Sequence, residues 1–349
     1  MKTHAIIPIF IPHAGCPHDC IFCNQKAITA RTVSPTIEDT RAIIERNLTT
    51  IKANPAIKTV EIAFFGGSFT GIPMEEQTAY LKTAKEYKDR GLVDLIHMST
   101  RPDYIDEKIL DNLKKWSADI IELGVQSFDP QVLAASARGH SAEVIAPAAE
   151  LIKQYGFTLG IQLMIGLPED SYEKCMYSVA RTIELKPAIA RLYPTVVLED
   201  TGLYRMALQG EYKPLTEEEA VMTTKDMYRV LTDAGINVIR VGLKSTDIIR
   251  PEEGAIGAGS YHPAFRQLVE GQLAREDLEA QLKEAGIAPG PSSAAPVKAD
   301  FTCHPESFSN MTGNRRANRL YFEKKYPSLN IRFKTDPSLE KGLYRVILK

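Results

Sequence analysis

Three cysteines near the beginning of the sequence are the side chains best suited to metal chemistry. Cys16, Cys20 and Cys23 lie within eight residues of each other, directly after the apolar segment 6–11. Thiolates are soft ligands that suit iron, and a short loop can place three of them around one compact cofactor. The spacing therefore predicts ligands for three irons of a [4Fe-4S] cluster, with the fourth iron open to a small molecule.

Two other interpretations of the cysteine run stay open from the residues alone. A structural zinc ion needs a fourth Cys or His, which His13 or His18 could supply. A disulfide pairs cysteines two at a time, so it cannot satisfy three clustered thiols evenly. The sequence favours the iron–sulfur cluster over both.

Further polar groups follow predicted strands. Gly66, Gly67 and Ser68 come directly after the apolar segment 59–65, and a glycine pair lets the backbone approach a ligand closely. Gln126 can hydrogen-bond a ribose hydroxyl, and the planar guanidinium of Arg138 suits a carboxylate. The alternatives are a tight turn for the glycines and ordinary surface positions for Gln126 and Arg138.

The cysteine spacing, with an aromatic residue before the last Cys, resembles the radical S-adenosylmethionine (SAM) superfamily. The resemblance implies that the three cysteines hold the cluster and that SAM binds its open iron. The glycine pair would then contact the amino group of SAM, Gln126 its ribose and Arg138 its carboxylate. The residues that the resemblance assigns to SAM are Phe22, Gly66, Gly67, Ser68, Gln126, Arg138, Gln162 and Met164.

Within the superfamily, the chain resembles the oxygen-independent coproporphyrinogen III oxidases and, more closely, the radical SAM core of the elongator acetyltransferase subunit. The oxidases have an acidic residue at the position of Gln162. The segments 100–104, 190–197 and 211–220 carry the elongator likeness, which covers roughly residues 4–240 and makes Tyr193 a candidate catalytic residue. The elongator family spaces its first two cluster cysteines more widely. Too few residues remain for its acetyltransferase domain, so acetyl transfer is not expected.

Segments with strand and helix character alternate along residues 4–234. Six strand–helix units in sequence predict an α/β fold with parallel strands. With the resemblance, this becomes a partial (βα)6 TIM-like radical SAM barrel over residues 1–240. Catalytic groups in such barrels lie at the carboxyl ends of the strands, where the polar residues described above are found.

Residues 241–349 follow another pattern. A helical and loop extension over 241–287 contains the glycine-rich segment 254–263, for which a phosphate-binding loop and a plain connection are both open. Tyr261 and His262 in this segment are candidate catalytic residues. A linker over 288–296 then precedes a small, basic α+β domain over 297–349.

The element order of that last domain resembles the K homology (KH) RNA-binding fold, whose GxxG loop clamps a nucleotide backbone. Here the loop reads Gly313-Asn314-Arg315-Arg316, with Arg replacing the second glycine. An RNA contact and an ordinary solvated helix face are both open for the basic side chains there, which are Arg315, Arg316, Arg319, Lys324 and Lys325.

Composition limits the class of protein. Five cysteines in 349 residues are too few for a secreted disulfide scaffold, and Cys175 and Cys303 are expected to be buried apolar residues. Neither a membrane span nor a signal peptide is indicated, so we expect a cytoplasmic protein. The net charge is -2, but residues 296–349 contain eleven Lys and Arg against five Asp and Glu. The C-terminal module is therefore basic and the rest acidic.

Three functional hypotheses follow. The first is an RNA-directed enzyme, with tRNA as the expected substrate, that cleaves SAM reductively with an electron from a flavodoxin-type or ferredoxin-type partner. The second is a radical SAM enzyme of small-molecule metabolism, porphyrin-related by analogy with the oxidases. The third is a non-catalytic iron–sulfur or SAM-binding RNA-binding protein.

Overall fold

A computed structural model describes residues 3–11, 16, 20–24, 33–243, 256–259, 261–291 and 296–349. The chain divides into two compact units. The first comprises Met1–Thr216, Met227–Arg240 and Lys244–Ser260, and the second comprises Glu217–Asp226, Val241–Leu243 and Tyr261–Lys349. His13 and His18, the candidate zinc ligands, lie outside the described residues.

The first unit is built on one sheet of seven strands. These are β1 (His4–Ile11), β2 (Thr59–Gly66), β3 (Leu95–Thr100), β4 (Ile120–Gln126), β5 (Thr158–Ile165), β6 (Ile189–Pro194) and β8 (Asn237–Val241). The strands are neighbours in that order, and the pairs from β1 to β6 are parallel, so their carboxyl ends share one edge. The predicted α/β half-barrel is confirmed. The seventh strand was missed because it is short and follows its helix after a single turn at Gly235.

Helices connect the strands of this sheet. They are α1 (Ile37–Lys52), α2 (Met74–Asp89), α3 (Glu107–Lys115), α4 (Pro130–Ala135), α5 (Ile145–Gln154), α6 (Tyr172–Leu185), α7 (Gly202–Gln209) and α8 (Glu217–Asp233). Sequence patterns explain their bounds. In α1, Thr36 and Asp39 form a reciprocal capping box, and Ile44 and Leu48 are buried one turn apart. Helix α7 was not predicted.

The two faces of the sheet differ in polarity. Side chains alternate between faces along a strand, and in β4 the buried Leu123 and Val125 lie on the face opposite to Glu122. Glu122 shares the inner face with Glu61, His97 and Arg191, all of them buried. The barrel interior is therefore polar, while its outer face is apolar.

The glycine-rich segment contains a strand rather than only a loop. Strand β7 (Val196–Leu198) pairs in antiparallel fashion with β9 (Ile256–Gly259), and Val196 lies opposite Gly259. This pairing argues against a phosphate-binding loop there, because the backbone groups of a paired strand bond to the neighbouring strand. Residues 254, 255 and 260 lie outside the described residues.

The second unit has a three-stranded sheet in the order β11-β10-β12, formed by β10 (Val297–Cys303), β11 (Leu329–Thr335) and β12 (Tyr344–Leu348). Strand β10 is parallel to β11 and antiparallel to β12. Three helices, α9 (Phe265–Glu284), α10 (Phe308–Thr312) and α11 (Ala317–Lys325), belong to the same unit.

One core joins the helices and the sheet of the second unit. Leu278 and Leu282 of α9 pack in one cluster with Phe301 of β10 and Phe322 of α11. Residues 265–284, predicted as an extension separate from 297–349, therefore share a core with that segment. The small mixed sheet agrees with the expected α+β class, and the KH likeness stays a prediction. No helix in the described ranges combines the length and apolarity needed to cross a membrane.

Candidate active site

The cysteine loop is tethered on both sides through Ile21. The Ile21 N–H donates to the Ser136 carbonyl at 3.2 Å, and the Leu203 N–H donates to the Ile21 carbonyl at 2.7 Å. Gly202 leaves room for this residue, because a Cβ there would come within 3.0 Å of the Ile21 Cβ. Phe22 packs beside Ile21 against the small apolar cluster that contains Leu203. The loop is thus held between the end of α4 and the beginning of α7.

Cys16 lies at the end of β2. Its Sγ is 3.4 Å from the hydroxyl of Ser68, which is almost fully buried. Gly66 has a φ of 113°, and a Cβ on it would come within 2.8 Å of the Ile11 carbonyl oxygen. The Gly67 N–H donates to that same oxygen at 2.8 Å. Close approach of β1 to β2 therefore requires a glycine at 66 even without a ligand, which the sequence interpretation did not anticipate.

Cys20 lies beside Arg138. The Nη1 group of Arg138 is 3.5 Å from the Cys20 Sγ, and its Nη2 group donates to the Gly124 carbonyl at 2.6 Å. Ala137 and Gly139 on either side have positive φ angles of 48° and 81°, a backbone geometry that turns Arg138 inward. The side chain is buried, and its Nε has no hydrogen-bond partner among the described residues.

Arg101 holds the backbone of Arg138 in place. Arg101 was not identified as a site residue from the sequence. Its Nη1 group donates to the Arg138 carbonyl at 2.8 Å, and Asp103 binds its Nε and Nη2 groups at 2.9 and 2.7 Å. Burial lowers the pKa of Arg101, but Asp103 and, more weakly, Cys20 and Cys16 raise it above its ordinary value. The sequence signal for Arg101 was the run Arg101-Pro102-Asp103, which places a guanidinium and a carboxylate two residues apart.

His140 also lies in this region, with its side chain largely buried. Burial, and then the positive charge of Arg138, lower the pKa of His140 to about 4. The imidazole is therefore neutral at physiological pH. Among the described residues, the guanidinium groups of Arg138 and Arg101 therefore supply positive charge beside the cysteine loop.

Gln126 occupies an irregular position at the end of β4. The register with β5 shifts between Gly124 and Gln126, and Gln126 has a φ of 70°. A Cβ on Gly124 would come within 3.0 Å of both the Gln126 Nε2 and the Arg138 Nη2. Gly124 thus lets both side chains share one small space. The Gln126 Oε1 is buried and has no partner among the described residues.

A buried cluster of charges fills the inner face below these residues. The Nδ1 of His97 lies 2.7 Å from Glu61, and its Nε2 lies 3.4 Å from Glu122, at ion-pair distance but without hydrogen-bond geometry. Arg191 donates from Nε to Glu122 at 2.8 Å. The Nε2 of His4 also lies 2.9 Å from Glu61, so the two carboxylates face one guanidinium and two imidazoles.

The charges in this cluster depend on each other. Burial raises the pKa of Glu122, but Arg191 and His97 lower it to about 2 overall. Burial lowers the pKa of His97, but the carboxylates Glu122 and Glu61 raise it above its usual range. The charges of Glu61, Glu122, Arg191 and His97 therefore balance when His97 carries its proton.

Three predicted site residues line the inner face above the cluster. The Gln162 Nε2 donates to Glu122 and to the Ser99 hydroxyl, so its Oε1 is the atom that can accept from a ribose hydroxyl. Tyr193 lies opposite Met164 in the β5–β6 register. The Tyr193 hydroxyl is 3.5 Å from Arg191 Nη1. Gln162, Met164 and Tyr193 share one inward face near the carboxyl ends of the strands.

The thiols of the three cysteines do not converge. Within the described ranges, no three His, Cys, Asp or Glu side chains are close enough to hold one metal ion. The Cys23 N–H donates to the Cys20 carbonyl at 2.9 Å, so these two residues form one turn. The assignment of Cys16, Cys20 and Cys23 as cluster ligands therefore stands on their spacing and on the family.

The two other candidate catalytic residues lie in the second unit. His262 Nδ1 accepts from the Ala264 N–H at 3.0 Å, and its carbonyl accepts from the Phe265 N–H at 3.0 Å. These bonds give His262 a structural role at the beginning of α9. Tyr261 is partly buried beside it.

The basic run in the second unit is partly neutralised. Arg319 pairs with Glu323 at 2.8 Å, and Lys325 pairs with Glu279 at 2.7 Å. The structure leaves Arg315, Arg316 and Lys324 exposed. Two of the five predicted RNA contacts are therefore engaged within the protein.

The lone cysteines have the environments expected of core residues. Cys175 is buried, and its thiol lies 3.1 Å from Asp170 Oδ2. Cys303 is fully buried in the core of the second unit, and burial raises its pKa to about 11.

Family models match the chain in two consecutive parts. The model of the radical SAM superfamily matches residues 10–179, and that of the radical SAM C-terminal domain matches residues 187–275. The chain belongs to the radical SAM superfamily. The first match contains the cysteine loop, Gly66, Gln126 and Arg138, so the arrangement around Arg138 lies in the part that defines the family.

Relatives of this radical SAM chain include larger proteins. The tRNA uridine(34) acetyltransferase of Methanocaldococcus infernus is 29% identical over 257 residues, which are 62% of this chain and 48% of the relative. Human Elongator complex protein 3 is 27% identical over 250 residues, 66% of this chain and 44% of the relative. The chain thus spans about half the length of these relatives.

A solved structure of the archaeal Methanocaldococcus infernus Elp3 has the same fold. It superposes with a TM-score of 0.59 at 22% identity, covering 82% of this chain and 64% of the other. The likeness to the elongator branch, predicted from the sequence, is confirmed.

The superfamily to which the chain belongs uses a [4Fe-4S] cluster and SAM, and the polar groups beside the cysteine loop fit SAM. A [4Fe-4S] cluster and SAM are therefore the cofactors of this chain. Buried polar atoms almost always have partners, yet Gln126 Oε1 and Arg138 Nε have none among the described residues. Both lie next to the cysteine loop, where a polar ligand can satisfy them.

Proposed function

We propose that this radical SAM chain is an enzyme that acts on RNA, with tRNA as the substrate class. A [4Fe-4S] cluster held by Cys16, Cys20 and Cys23 would supply one electron for the reductive cleavage of SAM, and the products would be methionine and 5′-deoxyadenosine that carries a hydrogen atom from the substrate. A flavodoxin-type or ferredoxin-type protein provides that electron, and the enzyme works in the cytoplasm.

The chain's own residues bind and orient the cofactors in this proposal. Cys16, Cys20 and Cys23 hold three irons. Arg138 binds the SAM carboxylate through a guanidinium that the Gly124 carbonyl already fixes, while Arg101 holds the Arg138 backbone, so little conformational entropy is lost on binding. The remaining SAM contacts are Phe22, Gly66, Gly67, Ser68, Gln126, Gln162 and Met164. Tyr193, on the same inward face as Gln162 and Met164, is the residue proposed to contact the substrate.

One observation carries the proposal for SAM. Arg138 contacts both the Cys20 thiol and the Gly124 carbonyl, 118 and 14 residues away in sequence. This contact joins the cysteine loop to the end of β4, where Gln126 lies. Support for RNA comes from the tRNA-directed relative and from the basic second unit.

The first test addresses SAM cleavage. Anaerobically reconstituted protein with dithionite and SAM is expected to produce 5′-deoxyadenosine, measured by mass spectrometry. Arg138→Gln should lower SAM affinity about tenfold or more, since the charge-assisted contact with the SAM carboxylate is lost. The matched control is Arg181→Gln, because Arg181 is a partly exposed member of a surface pair with Glu184. No 5′-deoxyadenosine from the wild type would favour a non-catalytic binding protein.

The second test addresses the substrate. tRNA transcripts prepared from deuterated nucleotides are incubated with the reduced enzyme and SAM, and deuterium in 5′-deoxyadenosine is measured. A deuterated pool of small metabolites is the parallel reaction. Transfer from the transcripts supports the proposal. Transfer from the metabolite pool alone would replace it with a function in small-molecule metabolism.

A further inference from the structure

The sheet of the second unit has one face away from its core. Ala299, Phe301 and Cys303 of β10 point into the apolar core, so the alternate residues of each strand lie on the opposite side. We call this side the outer sheet face. It consists of Lys298, Asp300 and Thr302 of β10, Asn330, Arg332 and Lys334 of β11, and Arg345, Ile347 and the following Lys349 at β12.

The outer sheet face is strongly basic. Its basic side chains, all exposed, are Lys298, Arg332, Lys334, Arg345 and Lys349. Asp300 is the acidic residue among these positions. It is buried at the centre of the face and pairs with Lys334 at 2.8 Å and Lys349 at 2.5 Å. The carboxylate therefore fixes two ammonium groups on the two outer strands rather than cancelling the charge of the face.

Three of the cations lie outside ion pairs, although Arg345 contributes, after the hydrogen bonds from Ser338, to lowering the pKa of Asp336. Lys298, Arg332 and Arg345 form no ion pair or side-chain hydrogen bond with a described residue. Arg332 lies next to Asp300 in the β10–β11 register, and Arg345 lies next to Thr302 in the β10–β12 register. Since strands are about 4.8 Å apart and alternate residues about 7 Å, these charges form a dense two-dimensional array.

We propose that the outer sheet face is a docking surface for the phosphate backbone of folded RNA, an inference that rests on the proposed action on RNA. A rigid array of cations matches a regularly spaced polyanion, and release of counterions drives such binding. The face carries no aromatic side chain, so it offers no platform for base stacking, which single-stranded RNA recognition uses. Its contacts therefore do not depend on the RNA sequence. They fix the place and orientation of the RNA rather than select it.

This surface differs from the basic run predicted near the GxxG-like loop. That run belongs to the helices that pack on the core side of the sheet, and two of its five cations are paired within the protein. Each surface has three cations outside ion pairs, but only the one carboxylate of Asp300 pairs with cations of the outer sheet face, whereas two carboxylates, those of Glu323 and Glu279, pair with the basic run. It depends on alternation and register across three strands, so the charges are far apart in the sequence.

The test uses the full chain and a fluorescent tRNA transcript. The triple variant Lys298→Gln, Arg332→Gln, Arg345→Gln removes three exposed cations without breaking an ion pair. We expect tRNA binding at 0.1 M salt to weaken at least about tenfold. The slope of log Kd against log salt should fall by up to about 2.7, because each phosphate contact contributes about 0.9. The charge-preserving variant Arg332→Lys, Arg345→Lys should bind as the wild type does.

The matched control removes the same number of charges from the helix side of this unit. Arg315→Gln, Arg316→Gln, Lys324→Gln should weaken binding clearly less than the sheet variant. Unchanged binding by the sheet variant, or equal losses from both triple variants, would overturn the inference. Retention of phosphatidylglycerol vesicles in place of tRNA would also overturn it, because a lipid surface would then be the partner.

The outcomes separate this inference from the proposed function. If deuterated tRNA still labels 5′-deoxyadenosine while the sheet variant binds normally, only the docking surface is wrong. If the wild type neither binds tRNA nor takes deuterium from it, the proposed action on RNA fails as well.

Discussion

The buried carboxylate Glu122 gives a quantitative prediction about the barrel interior. Glu122→Gln keeps the shape of the side chain and removes its charge, leaving Arg191 and His97 without the group that both face. The fall of the Glu122 pKa from 4.5 to about 2 corresponds to about 3 kcal/mol. That value agrees with the cost of about 3–5 kcal/mol for removing one partner of a buried ion pair.

The expected result is a large loss of thermal stability. A destabilisation of about 3 kcal/mol lowers the Tm of a domain of this size by about 6–12 °C. Thermal unfolding of the cofactor-free protein at pH 6, followed by circular dichroism, measures it. The control Glu184→Gln makes the same chemical change in the surface pair with Arg181 and should cost less than about 1 kcal/mol.

The pH dependence follows from the direction of each shift. The pKa of Glu122 is lower in the folded chain, so its contribution is complete above about pH 4.5 and is lost as the pH falls toward 2. The pKa of His97 is higher in the folded chain, so its contribution is complete below about pH 6.5 and is lost as the pH rises through the folded value. The wild type should therefore lose stability as the pH falls from about 4.5 toward 2 and again as the pH rises above about 6.5. A Glu122→Gln variant that unfolds like Glu184→Gln would refute this account.

Three further predictions concern the glycines and the support of Arg138. Gly124→Ala should weaken SAM binding about tenfold in an equilibrium titration, because the new Cβ would meet the Arg138 Nη2 at 3.0 Å. Unchanged SAM affinity would show that this space is not needed. Gly66→Ala should lower unfolding free energy by about 2 kcal/mol or more, against about 1 kcal/mol for Gly91→Ala, since both have positive φ but only Gly66 faces backbone. Equal losses would contradict the steric argument. Asp103→Asn should slow 5′-deoxyadenosine formation about tenfold and also lower the Tm, because the buried Arg101 guanidinium that holds the Arg138 carbonyl loses its charged partner. A variant with normal activity would remove Asp103 from the supporting role.

Local pattern predicted most elements of the barrel. The segments His4–Ile11, Met74–Asp89 and Tyr172–Leu185 have the predicted bounds, because their apolar periodicity and end signals lie within the segments themselves. Strand β8 and helix α7 were missed because they are short and carry little periodicity.

The sequence by itself determined the cofactors of this protein and the class of its fold. The spacing of Cys16, Cys20 and Cys23 indicates the cofactor, since this pattern is local and can be recognised before the chain packs. Alternation of apolar segments indicates parallel strands for the same local reason.

The tertiary structure alone decided how the site is supported and which surfaces are charged. The support of Arg138 by Arg101, the pairing of Glu122 with Arg191 across 69 residues, and the outer sheet face all join residues distant in the chain. Such contacts depend on register, and a register forms only when the strands pack.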